Sequence, residues 1–456
     1  MSLTAPSAAE CRRRDFLKGG SAAAVMAMLG GVELLAQSVP EKTAEAKPEG
    51  PKVKVAVIGL GPWGREILDQ LGRLPQAEIV AICDSYGAMV RRSTAKAPGA
   101  APLEDHQAVL ANKDIQAVFI ATGSHQHKEI AIAALKAGKH VYCEVPLANT
   151  IADAKTIALA AKDAVGQDFQ PGLQTRSDPH RHFLLPFIRS GALGNSVLAR
   201  AQWHKKQSWR AASPNAEREK AINWRLSRAT STGLVGEIGI HQLDQAGWFL
   251  NGLPTAVTGF GSLTTWKDDG RDVPDTVQVV VEYPGGVRLT YDATLANSFD
   301  ADYEMYYGSD AAVMIRESKA WMFKEVDSPL LGWEVYARKE NFFKETGIAL
   351  VAGGSKQTSP GDQPADDAAN GFPALYHALR SFLRNCAEMT AAVEDFTTTF
   401  GSADKKALAE TLAGIKFSNA ATWQDGYVAT VLAIKANEAI NTGTRIELRK
   451  EWFELT

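Results

Sequence analysis

From residue 53 onward, short apolar runs alternate with longer amphipathic stretches. Val53-Lys54-Val55-Ala56-Val57-Ile58 is the first run, 77–83 the second, Ala117-Val118-Phe119-Ile120-Ala121 the third and His140-Val141-Tyr142-Cys143 the fourth. Helical patterns lie between them, notably 128–137, which Gly138 closes in the position of a C-terminal cap. Strands alternating with helices predict a parallel sheet covered on both faces. From about residue 197 the pattern changes. Residues 276–283 and 287–293 are β-rich and separated by Pro284-Gly285-Gly286, a hairpin signal. Residues 303–307 and 311–315 continue the series around a Gly308-Ser309-Asp310 turn. This predicts an open, mostly antiparallel sheet with one face on helices and the other offered to a subunit partner. Residues 353–370 are rich in Gly, Ser, Pro and Asp and read as a surface loop, whereas 375–386 and 426–439 have helical character.

The turn after the first strand carries the clearest chemistry. Gly59-Leu60-Gly61-Pro62-Trp63-Gly64 is a full G-x-G-x-x-G that follows a strand and opens a helix, and Asp84 lies twenty residues past Gly64, at the end of the second strand. In a dinucleotide-binding turn the first glycine permits the tight bend and the second lets the pyrophosphate approach the backbone. The third lets helix and strand pack closely. The phosphates then meet the free N–H groups of a helix N-terminus. Asp84 is placed to accept from the adenosine ribose hydroxyls and to repel a 2′-phosphate, which favours NAD over NADP. Arg91 and Arg92 would weaken that preference if they turned inward.

The expected fold class is therefore α/β. A doubly wound Rossmann sheet over 53–172 precedes an α+β substrate-binding and oligomerisation domain over 173–456. Composition agrees: of 456 residues 45% are hydrophobic and 22% charged, and a formal net charge of -3 leaves no electrostatic footprint for nucleic acid. The N-terminus stands apart. Arg13-Arg14-Asp15-Phe16-Leu17-Lys18 precedes a small, apolar run over 19–32, too short to span a bilayer but suited to a signal peptide. The basic stretch resembles a twin-arginine export signal, so 1–36 is read as a leader, with periplasmic export or retention as an anchor as its outcomes, and 37–52 as a proline-punctuated linker. Cys83, Cys143 and Cys386 are widely spaced and odd in number, with neither disulfide nor metal spacing.

Three further segments carry a family resemblance. Ala121-Thr122-Gly123-Ser124-His125-Gln126-His127 is similar to A-T-P-x-x-x-H. Residues 137–148, containing Cys143-Glu144-Val145-Pro146, are similar to A-G-K-H-V-x-C-E-K-P-L-A. Residues 236–244 are similar to G-x-x-D-x-G-x-H-x-x-D. In this order they resemble the Gfo/Idh/MocA oxidoreductases from about residue 53 to the C-terminal helices. The resemblance implies that Thr122, His127 and Glu144 line the nicotinamide ribose and that Trp224-Arg225 lies near the cofactor. Arg176 takes the place of an arginine common after the Rossmann domain. Two positions depart from the pattern. Val145 replaces a lysine that in many members contacts substrate and nicotinamide, and Glu237 replaces an aspartate.

His241 and Glu237 remain as the candidate catalytic pair. If 236–244 is helical, their i, i+4 spacing puts them on one face, with His241 as base and Glu237 orienting it. Arg176, Asp244, a turn further along from His241, and Tyr307, with its neighbours Tyr303 and Tyr306, are candidates for substrate contact. The leading expectation is an NAD-dependent oxidoreductase of a sugar or polyol with a tightly held cofactor, assembled as a homo-oligomer. The missing lysine leaves two others: an NAD-dependent glycosidase working by transient ring oxidation, and a dinucleotide-binding sensor without turnover.

Overall fold

The computed structural model describes residues 50–331, 334, 337–342, 345–350, 372–401 and 404–455. The leader and the loop at 353–370 thus lie outside the described residues. The first layer is a six-stranded parallel sheet of β1 (Val53–Ile58), β2 (Ala77–Cys83), β3 (Ala101–Leu103), β4 (Ala117–Ile120), β5 (His140–Cys143) and β6 (Phe169–Pro171), in the order β3-β2-β1-β4-β5-β6. The order reverses between β1 and β4, and a sheet of this kind opens its crevice there, at the carboxyl ends of the strands. Helices α1 (Pro62–Leu71), α2 (Gly87–Ser93), α3 (His106–Ala111), α4 (His127–Lys136) and α5 (Ile151–Asp163) make the connections.

Residue alternation along β1 decides what covers each face. Val53, Val55 and Val57 point into one apolar cluster, Ala56 and Ile58 into another. The second cluster runs on into the core of the C-terminal layer. That layer contains α6 (Pro179–Arg189), β7 (Ser196–His204), α7 (Ala216–Ile222), α8 (Gly233–Glu237) and α9 (Ile240–Leu250). It continues through β8 (Ala256–Ser262), β9 (Thr276–Glu282), β10 (Arg288–Thr294), β11 (Asp302–Gly308), β12 (Ala311–Arg316), β13 (Lys319–Lys324), β14 (Lys339–Phe342) and β15 (Glu345–Ala349). The chain ends with α10 (Ala374–Phe400), α11 (Lys405–Ala413), α12 (Trp423–Thr442) and β16 (Ile446–Glu447).

Ten strands form one sheet, ordered β14-β15-β13-β12-β11-β7-β10-β9-β8-β16, in which only β7 and β10 run parallel among the neighbouring pairs. The hairpin expected at Pro284-Gly285-Gly286 joins β9 to β10, with both glycines at positive φ, which a side-chain-bearing residue rarely adopts. The inner face of this sheet packs on α9 and α12.

One element crosses the boundary that the sequence pattern suggests at 172. Leu375, Leu379, Phe382 and Cys386 recur at helical spacing on α10, and they pack on the first sheet beside α1. The Phe382 ring lies 5.2 Å from Phe119 and 5.7 Å from Tyr142, both in the strands of that sheet. The first face of the Rossmann layer is therefore completed by residues more than two hundred positions downstream. No helix among the described residues is long and apolar enough to cross a membrane.

Candidate active site

The three glycines of the turn after β1 meet three different surroundings. Gly59 has φ +94°, and a Cβ there would lie 2.6 Å from the Ala121 carbonyl oxygen. At Gly64 a Cβ would fall 1.8 Å from the Gly59 carbonyl oxygen, so helix and turn touch through the missing side chain. At Gly61 a Cβ would meet nothing within 4 Å. The middle glycine thus faces open space at the head of α1, where Pro62 occupies the first helical turn and its absent N–H costs nothing. This is the cradle that a pyrophosphate requires, and the residues fit a dinucleotide.

Asp84 lies beside the glycine turn. Its Oδ2 accepts from the Leu60 amide at 2.8 Å and its Oδ1 from the Tyr86 amide at 2.8 Å, so the carboxylate braces the glycine turn. Each oxygen keeps a second lone pair for a ribose hydroxyl. Arg91 and Arg92 are exposed.

At the other end, the loops after β4, β5 and β6 converge. Glu144 is buried beside Gly172, where even a Cβ would come 2.4 Å from the Glu144 Oε2. Burial pushes its carboxyl up to about 7, against the pull of the Trp63 indole N–H, the Val145 amide and the Arg225 charge. Its Oε1 has no protein partner, and neither does the buried Oγ1 of Thr122. Trp63 joins the glycine turn to Glu144 in this way. Arg225 comes from the second layer, with its guanidinium 4.7 Å from the Trp224 ring centroid, and Trp224 lies 5.8 Å from the His125 ring. Thr122, Glu144, Trp63, Trp224 and Arg225 are thus brought together.

Several other expected residues are engaged elsewhere. The two His127 ring nitrogens face the Pro146 carbonyl at 3.0 Å and the Thr122 carbonyl at 3.2 Å. Burial drives its pKa down to about 4, so it is a neutral strut between two motif loops. Arg176 and Asp244 were candidates for substrate contact but bind each other through two parallel hydrogen bonds of 2.9 and 2.8 Å. Arg176 also reaches Asp425 at 3.1 Å. Tyr307 pairs across the sheet with Leu198 and Ala312, on the face turned away from the helices. The inward tyrosine is its neighbour Tyr306, 5.2 Å from Phe249, because strand side chains alternate.

The expected single helix over 236–244 is two helices. Ile238, at φ −122°, leaves the helical region, and at Gly239 a Cβ would lie 2.5 Å from the Val235 carbonyl oxygen and 2.7 Å from the Tyr291 ring. The break separates the proposed pair. Glu237 accepts instead from the Thr232 amide at 3.0 Å, the Thr232 hydroxyl at 2.9 Å and the Ser124 hydroxyl at 3.1 Å. It therefore positions the second layer against the loop after β4 and does not orient His241. The His241 Nδ1 is enclosed without a partner, and burial lowers its pKa to about 4, so the ring is neutral at neutral pH. Ser124 was not singled out in the sequence, although it sits inside the motif 121–127. A hydroxyl at the start of a helical turn was the available signal.

Residues 53–170 match the family model described as the GFO/IDH/MocA oxidoreductase family with an NAD-binding Rossmann fold. Residues 186–313 match the C-terminal domain model of the same family, so that together the two span more than half of the chain. The chain belongs to the Gfo/Idh/MocA family. It is an NAD(P)-dependent oxidoreductase in that family's sense. Among similar proteins, inositol 2-dehydrogenase of Salmonella typhimurium is 28% identical over 250 residues, 53% of this chain and 69% of that one. Levoglucosan dehydrogenase of Pseudarthrobacter phenanthrenivorans is 34% identical over 181 residues, 38% of this chain and 44% of its own. A solved structure of a levoglucosan dehydrogenase in complex with NADH and L-sorbose has a TM-score of 0.65 at 19% identity, covering 88% of this chain and all of its own, which establishes the shared fold.

Proposed function

We propose that this Gfo/Idh/MocA protein interconverts a secondary hydroxyl and a ketone on a sugar, polyol or sugar derivative, using NAD held from one turnover to the next. The observation that carries the reading is the convergence of the open Gly61 cradle, the braced Asp84 and the unpartnered Glu144 and Thr122 oxygens along one groove. Asp84 at the ribose argues for NAD over NADP. The relatives named for inositol and levoglucosan support a polyhydroxylated substrate. When bound, the nicotinamide would take a hydride from the carbon that bears the substrate hydroxyl.

With Val145 buried where many members carry a lysine, this chain supplies no cation there to acidify that hydroxyl. His241, half-buried and neutral, takes the hydroxyl proton. Glu144 accepts from the nicotinamide ribose hydroxyls, and the Trp224–Arg225 pair shields that end of the groove from water.

Val145 also favours a second reading, a glycosidase that oxidises the ring transiently, eliminates the leaving group and restores the hydroxyl. Export by the twin-arginine route belongs to this proposal as well. A folded protein carrying its cofactor suits a compartment without a nucleotide pool, and Arg13→Lys with Arg14→Lys should keep it in the cytoplasm on fractionation.

The test is to denature purified protein and identify any released nucleotide, then offer sugars and glycosides to the native protein while following nicotinamide absorbance. A bound NAD that a sugar reduces supports the dehydrogenase. Release of an aglycone with no acceptor consumed selects the glycosidase. Protein that contains no dinucleotide and takes none up refutes both. His241→Ala should lower kcat by about a hundredfold or more while NAD content is unchanged.

A further inference from the structure

Between β7 and α8 the chain makes an excursion, residues 205–228, that belongs to neither sheet. It is tied down at its root. The Asn223 side chain accepts from the Ala211 amide at 2.8 Å and donates to the Ala211 carbonyl at 3.0 Å. Arg228 donates through its amide and its Nε to Asp272, each at 2.7 Å. Next to that root are Trp224 and Arg225, stacked on each other, and the Arg225 charge acts on Glu144.

The far end carries α7, capped by Asn215, which accepts from the Arg218 amide at 2.8 Å. There the Arg218 guanidinium lies over the Tyr86 ring, 4.1 Å from its centroid. Tyr86 belongs to the other layer, two residues beyond Asp84, and its amide is one of the two that hold the Asp84 carboxylate. The excursion therefore crosses the cofactor groove from its nicotinamide end to its adenosine end. The Arg218 Nε–H is buried without a protein acceptor, and Arg218 makes no ion pair among the described residues. A guanidinium recruited only to join two layers would normally have its donors satisfied.

We infer that Arg218 is a binding residue for the adenosine half of the cofactor, and that 205–228 is a strap whose Arg218–Tyr86 clasp holds the nucleoside in place. The inference rests on the dinucleotide reading above. A planar cation and an aromatic ring stacked beside Asp84 form a wall for the adenine face, and the terminal guanidinium N–H groups have the nucleoside's nitrogens and oxygens as acceptors.

Exchange of isotope-labelled NAD into the purified full-length protein tests it, together with competition by ADP-ribose and by nicotinamide mononucleotide. Arg218→Ala should speed exchange about tenfold and weaken ADP-ribose about tenfold, leaving nicotinamide mononucleotide unchanged. Arg218→Lys, which keeps the charge but not the planar stack, should fall between the two. Equal exchange in wild type and R218A overturns the clasp and leaves the dinucleotide site standing. So does an equal loss for both fragments, which would make Arg218 a general brace. A preference for 2′-phosphorylated ADP-ribose that R218A abolishes would replace stacking with phosphate pairing and overturn the inference as stated. Wild-type protein that takes up neither fragment refutes the dinucleotide reading and the clasp together.

Discussion

At the residue scale, one motif contains two opposite kinds of glycine. Gly64 is needed for packing, because any side chain meets the Gly59 carbonyl, whereas Gly61 borders empty space. Gly64→Ala should destabilise the protein by about 3 kcal/mol in denaturant unfolding. Gly61→Ala should leave the unfolding midpoint of nucleotide-free protein unchanged and weaken NAD at least about tenfold. Glu144 gives a pH signature. Its folded-state pKa of about 7 lies above the ordinary 4.5, so its contribution to stability is complete below pH 4.5 and is lost as pH rises through 7. Glu144→Gln should therefore be more stable than wild type at pH 8, by roughly 2–3 kcal/mol, and the gap should close near pH 5. The tight bend at Gly59, the close packing at Gly64 and the place of Asp84 beside the turn were legible in the sequence because they follow from local spacing. The roles of His127, Arg176 and Asp244 were not, since they depend on which partner the fold brings within 3 Å.

At the scale of elements, the break at Ile238–Gly239 shows how a tertiary contact overrides a helical spacing. An uninterrupted helix would have aligned Glu237 with His241, but the Gly239 backbone lies against Tyr291 and the helix restarts. Arg176 acts at the same scale. It joins α9 through Asp244 to the start of α12 through Asp425, with Trp248 stacked 5.0 Å from its guanidinium. Removing it strands a buried carboxylate. Arg176→Met should cost about 3–5 kcal/mol of unfolding free energy, and adding Asp244→Leu should recover part of that loss. The strand–helix alternation of the first sheet and the hairpin at 284–286 could be read directly from the sequence. Short strands such as β3, β6 and β16 could not, because two or three residues carry too little periodicity.

At the scale of the whole molecule, the ten-stranded sheet has two unlike faces. Leu198, Met305, Tyr307, Ala312 and Met314 lie next to one another on the face turned from the helices, with the exposed Arg200 opposite Met305, a largely apolar set on a surface that alternation alone would have made polar. This is the surface expected to pair with a second copy. Light scattering on purified protein should report an oligomer, and Met305→Lys should shift it toward the monomer. Monomeric wild-type protein at micromolar concentration would rule out that pairing.

The long helix Ala374–Phe400 bears on how the chain acquires its shape. Its Phe382 seals a face built from strands made some 260 residues earlier, so the nucleotide-gripping layer stays unfinished until that helix has been made. A fragment ending at residue 172 would leave Phe119 and Tyr142 bare to water and should aggregate. Retention of a dinucleotide should accordingly require the helix that carries Phe382.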